Sequence, residues 1–162
     1  VLLADQTLVG MIKFNGEGVP PDRHQGLLYD EFRVPKREML GDLDVSRWPK
    51  GLDNQPADPW LHQVCLVLER TDSGELLTFA TTSKTGRRAC GDLLRHYNRM
   101  RRTNPGEYPV VRLRAGGFKH SEQRIGWVSV PQFVVVGRRS RDSVSKPDTS
   151  VSADLNDSIP HL

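Results

Sequence analysis

The sequence predicts a mainly β domain carrying one long helix (an α+β chain), on three observations. Apolar runs of strand length recur along the chain, separated by turn-forming clusters. A single stretch, "GRRACGDLLRHYNRMRR", switches to helical spacing. After Arg139 the apolar content collapses into Ser, Asp, Thr, Lys and Pro, which cannot bury enough surface to offset the entropy of ordering. The 162 residues suffice for one domain with a real core.

The elements follow in order. "VLLADQTLVG" opens on Val1, and Met11 stands directly before "IKFNGEG", so Met11 is a candidate start and residues 1–10 a candidate leader. Residues 15–61 are rich in Gly, Pro, Asp and Asn, with turn clusters in "NGEGVPPDRHQG" and "WPKGLDNQPADPW". Between these, "LLYDEFRVP" reads as a short strand ending near Pro35. "HQVCLVLER" and "ELLTFATTS", joined by "TDSG", read as a hairpin. In the helical stretch Ala89, Leu93, Leu94, Tyr97 and Met100 fall on one arc about 140° wide. Ser83 or Thr85 caps its start and "TNPGEYP" ends it. "VVRLRAG" alternates Val111 and Leu113 with Arg112 and Arg114, as a half-buried strand does. "RIGWVSVPQFVVVGR" supplies the last strand or strand pair, with Pro131 marking an edge, bulge or break. Strand–strand–helix–strand–strand, after one or two earlier strands, suits a partly open barrel of the oligonucleotide-binding type over residues 1–139. Residues 140–153 read as a disordered linker and 154–162 as a separate acidic tip.

The net charge of +3 conceals a strong asymmetry. Residues 1–83 carry 8 Lys/Arg against 13 Asp/Glu, residues 84–141 carry 14 against 3, and residues 142–162 carry 1 against 4. A basic block of net +11 between acidic flanks points to a polyanion-binding surface. On the helix Arg88, Arg95, Arg99 and Arg102 fall within about 60° of one another, away from the apolar arc. Lys84 and Arg87 precede them. Arg112 and Arg114 share one face of the next strand, and "AGGFKH" beyond offers Phe118 and Lys119 in a loop. Guanidinium groups along a groove neutralise phosphates, and exposed rings such as Phe118 and Trp127 give bases a stacking platform. Tyr97 and Phe133 lie in apolar settings and read as core. The nucleic-acid-binding candidates are therefore Lys84, Arg87, Arg88, Arg95, Arg99, Arg112, Arg114, Phe118, Lys119 and Trp127.

Catalysis is less well supported, and the chain reads as non-enzymatic, with no cofactor or metal. The five histidines show no H-x-x-x-H or H-E-x-x-H spacing. Asp22 with His24, and Asp58 with His62, are the best acid–base or metal pairs, and they define the alternative of a small metal-dependent nuclease or hydrolase. A further alternative is a non-catalytic adaptor whose basic face binds an acidic protein. Cys65 and Cys90 have no spacing pattern and read as reduced structural thiols of a cytoplasmic protein. No apolar run approaches membrane-spanning length.

The chain closes on "ADLNDSIPHL". Asp154, Asp157, Ile159 and Pro160 resemble the acidic Ile-Pro tip of bacterial single-stranded DNA-binding proteins, with Ser158 in place of the second acid and His161-Leu162 in place of the final Phe. The pattern is also similar to that of phage-encoded single-strand binders, whose bodies vary while the tail persists. The resemblance implies an oligonucleotide-binding barrel, a role in DNA replication, recombination or repair, and a tip (Asp154, Asp157, Ile159, Pro160, Leu162) that docks on partner proteins and competes weakly with DNA for the basic groove. It also implies a bacterial or prophage setting.

Overall fold

The computed structural model describes residues 1–51, 53–119, 121 and 126–143. The linker and tip expected at the C-terminus lie outside the described residues, apart from the linker's first four. Seven regular elements follow one another: β1 (Leu8–Lys13), β2 (Asp22–Leu27), β3 (Trp60–Glu69), β4 (Leu76–Thr81), α1 (Lys84–Thr103), β5 (Glu107–Lys119) and β6 (Trp127–Ser140). The chain is thus mainly β with one helix, as its patterning predicts. The strands form two antiparallel sheets, a four-stranded one in the order β2-β1-β3-β4 and a two-stranded ribbon β5-β6, and among the described residues no ladder closes them into a barrel.

The β3–β4 hairpin lies where its alternation puts it, with Leu66 opposite Phe79. Helix α1 fills the angle between sheet and ribbon. Ser83 caps it by accepting a hydrogen bond from the Gly86 N–H (3.0 Å). Gly86 itself lies so close to the end of β4 that a Cβ would stand 2.3 Å from Thr81 Oγ1. The apolar arc faces inward: Cys90, Leu93, Leu94, Tyr97 and Met100 join Leu66 and Tyr108 in the main core. Burial pushes the Cys90 thiol up to about 12, so it behaves as a small apolar side chain.

Residues 1–10, set apart above as a candidate leader, are built into this fold. Val1, Leu2, Leu3 and Ala4 are core residues. Leu3 N–H donates to the Val67 carbonyl (2.9 Å), Glu69 N–H to the Val1 carbonyl (2.8 Å), and Leu2 N–H to the Pro109 carbonyl on the other side (2.9 Å). Strand β1 then runs through Met11 with β2 and β3 on either side.

Two expectations need correction. "LLYDEFRVP" is not a strand: β2 ends at Leu27, and Leu28 and Tyr29 after it pack on the main core. Tyr29 also donates its hydroxyl hydrogen bond to Asn98 Oδ1 (3.0 Å), while the Phe32 ring lies directly on Gly26. "AGGFK" is not a loop but the end of β5, paired with the start of β6.

The long connection from β2 to β3 is pinned through Asp42. Its carboxylate accepts from Lys13 Nζ (2.9 Å) and Trp60 Nε1 (3.1 Å), and its carbonyl accepts from Trp48 Nε1 (2.6 Å). Arg37 and Asp58 add a 2.6 Å ion pair. The Lys13 hydrogen bond holds the Asp42 carboxyl below the usual range. Burial opposes ionisation of Asp58, but hydrogen bonds from Arg37 and the Trp60 N–H outweigh it and keep that group low as well.

Two measurements test this account. In β1, a Cβ at Gly10 would stand 2.1 Å from the His24 carbonyl oxygen. Gly10→Ala is expected to lower stability by about 1–3 kcal/mol in chemical denaturation, the usual cost of overpacking; an unchanged midpoint refutes the close approach of β1 and β2. For the clamp, depressed carboxyl values mean a contribution complete above about pH 4 and lost as pH falls through them. Tryptophan emission should therefore change in that acid window ahead of global unfolding, and Asp42→Asn should lack the step.

Candidate nucleic-acid interface

Helical geometry sorts the arginines of α1 by face. Arg88, Arg95, Arg99 and Arg102 are all exposed, opposite the buried arc, and Lys84 is exposed at the helix start. Arg95 is ion-paired to Asp92 one turn away. Arg88, Arg99 and Arg102 form no ion pair among the described residues. Arg87 sits off the stripe and is half-buried, its Nε shielded from solvent without a hydrogen-bond partner among the described residues. Arg101 is also off the stripe: its guanidinium lies over the rings of Tyr29 (5.2 Å) and Tyr97 (5.9 Å).

The ribbon register divides the other candidates. Residues directly opposite in an antiparallel pair share a face, and alternate residues share it along each strand. Arg112, Arg114 and Phe118, opposite Val134, Gln132 and Val128, therefore present one face of the ribbon. Lys119, opposite Trp127, presents the other. Arg112, Arg114 and Lys119 are exposed, Phe118 is 45% exposed, and Trp127 is 67% exposed with its indole over Gly117. The aromatic candidates thus stand on opposite faces of one arm and do not form a single platform.

Arg88 and Phe118 do come together. With Thr85, Asp92, Val130 and Gln132 they line a hollow of about 380 Å³ between the first turns of α1 and the ribbon. Gln132 lies opposite Arg114, so the hollow runs into the Arg112–Arg114 face. Thr85 and Gln132 are the residues that sequence reading missed. Their only signals are the helix start and the register, and neutral side chains add nothing to a charge count.

Three arginines of the basic block, Arg138, Arg139 and Arg141, are committed to holding the fold. Arg138 pairs with Glu107 (3.1 Å), Arg139 with the buried Glu69 carboxylate (3.5 Å), and Arg141 with Asp5. Asp5 also accepts from the Tyr108 hydroxyl (2.6 Å), whose own ionisation burial pushes up to about 12.

The residues of the hydrolase alternative lie around β1. Asp22 is ion-paired to Lys13 (3.3 Å) and Asp58 to Arg37. His24 and His62 both stand opposite Met11, one on either side, and the His24 ring rests against Trp60 (5.3 Å). Among the described residues no three His, Cys, Asp or Glu side chains are grouped to hold a metal ion. No helix among them is long and apolar enough to cross a membrane. The tip residues Asp154, Asp157, Ile159, Pro160 and Leu162 lie outside the described residues. Comparisons with family models, curated proteins and solved structures return no match.

The division between committed and free arginines is measurable. Arg139→Ala is expected to cost about 1–3 kcal/mol by taking a partner from a buried carboxylate. Arg99→Ala should stay within about 0.5 kcal/mol of the parent, as a free surface group does. Equal losses in the two variants refute the division.

Proposed function

We propose that the chain is a non-enzymatic single-stranded DNA-binding protein of the cytoplasm, acting in replication, recombination or repair. The observation that carries the reading is the hollow shared by Arg88 and Phe118, a stacking ring beside a guanidinium where the arginine stripe of α1 meets the arginine face of the ribbon. Phosphate contacts along such surfaces give affinity without sequence preference, and a base against an exposed ring adds about 1–3 kcal/mol.

The strand connectivity supports the same reading. Val1–Lys13 acts as one bent strand broken by the turn at Ala4–Gln6: it runs beside β3 throughout and touches β5 at its start. With β2 counted as an insertion, the order becomes three strands, the helix and two strands, the connectivity of a partly open oligonucleotide-binding barrel. Across the remaining gap the rings of Phe79 in β4 and Phe133 in β6 meet edge to face (5.2 Å). The acidic tip would recruit partner proteins once DNA displaces it, and its resemblance to phage tails favours a prophage origin.

Fluorescence anisotropy with labelled oligothymidylate at several salt concentrations tests the proposal. Log affinity should fall linearly with log salt, by about 0.7 per phosphate contact. Arg88→Ala should reduce that slope by about one contact, and Phe118→Ala should weaken binding by about 1–3 kcal/mol with the slope kept. Absence of binding at low salt, or binding indifferent to salt, overturns it.

A further inference from the structure

A second hollow, of about 550 Å³, opens beside the end of β1, within the range of small-molecule sites of ~300–1,000 Å³. It is lined by Phe14, Arg47, Trp48 and Pro49, with Lys13 and Asp42 at its base. Phe14 is 60% exposed although it directly follows a strand that could have carried it inward. Trp48 cannot swing away, because its Nε1 is held by the Asp42 carbonyl (2.6 Å). The two carboxylates that line it are already hydrogen-bonded: Asp42 accepts from Lys13 and Trp60, and Asp44 accepts from the backbone N–H and hydroxyl of Ser46. Arg47 is exposed and has no ion pair among the described residues. The hollow therefore offers an open ring face, a fixed indole wall, and one uncommitted guanidinium.

We propose that this hollow is a nucleotide subsite, with the base stacked on Phe14 against the Trp48 wall and a phosphate on Arg47. The chemistry fits a planar ring bearing an anion, and an aromatic–arginine pair recognises both parts. Its source is either a nucleotide of a bound strand, which rests on the reading proposed above, or a free mononucleotide, which does not.

The test compares the full chain with a Phe14→Ala/Arg47→Ala double variant that must melt with the parent. One arm uses oligothymidylate of ~20 nucleotides, longer than one domain needs; the other uses thymidine 5′-monophosphate, followed by NMR at the Trp48 indole N–H. If the strand is the source, the double variant binds the oligonucleotide about tenfold more weakly, and the parent's Trp48 resonance shifts on binding. If the parent ignores the oligonucleotide, the strand-binding reading fails; a monophosphate-induced Trp48 shift, lost in the double variant, then establishes a free-nucleotide site. Equal oligonucleotide affinity in parent and variant, with Trp48 unmoved by either ligand, overturns the subsite and leaves strand binding at the Arg88–Phe118 hollow standing.

Discussion

The hydrogen bonds of Val1–Leu3 hold the two sheets to each other. Leu3 and Val1 bond to β3, and Leu2 bonds across to Pro109 at the start of β5, a backbone link between sheet and ribbon. Asp5 extends the joint two residues on, taking the Tyr108 hydroxyl and Arg141. Beside Val1, Arg139 reaches the buried Glu69. Without this seam the ribbon would meet the sheet only through side chains of α1 and the core, and two-stranded ribbons are marginal when left alone. The placement of the Arg88–Phe118 hollow depends on it, because α1 is anchored at the end of β4 while Phe118 belongs to the ribbon.

The seam also explains how a block of net +11 is tolerated. Like charges packed this densely repel, and a fold that left all of them free would lose stability. The chain instead places acids from distant parts of its sequence opposite the arginines at the base of the ribbon: Asp5, Glu69 and Glu107. It covers Arg101 with the rings of Tyr29 and Tyr97. Arg88, Arg99 and Arg102 on the α1 stripe, and Arg112 and Arg114 on one face of β5, have no ion pair among the described residues. A surface salt bridge elsewhere contributes little, but here the pairing decides which cations are left to face a ligand.

Sequence reading recovered the elements whose period is clean. The hairpin of β3 and β4, the helix with its Ser83 cap, and the ribbon all carry alternation or helical spacing strong enough to override context. It failed on β1 and β2 because their signals are hidden. Gly10 lies in the middle of β1 and Gly26 near the end of β2, where backbone or the Phe32 ring approaches too closely for a Cβ. The start of β2, "DRHQ", is polar because it forms an edge. "LLYDEF" misled for the opposite reason, since Leu28 and Tyr29 pack on the core without extending the sheet. The arginine stripe was legible from spacing alone. The split of Phe118 from Trp127 was not, because it depends on a register that only pairing with β6 fixes.

The same physics bears on the loop between β2 and β3. Asp42 adopts a left-handed backbone (φ 53°), an uncommon conformation that Asp tolerates better than most residues. It is held there because carboxylate and carbonyl are both used, by Lys13 and Trp60 on one side and by Trp48 and Arg37 on the other. Hydrogen bonds of this kind spend polar groups on position and leave apolar surface uncovered: Phe14, Leu43 and Val45 all remain exposed around the clamp. A connection ordered by a polar hub need not bury its apolar residues to stay in place, and that freedom allows an open ring to stand beside a fixed indole.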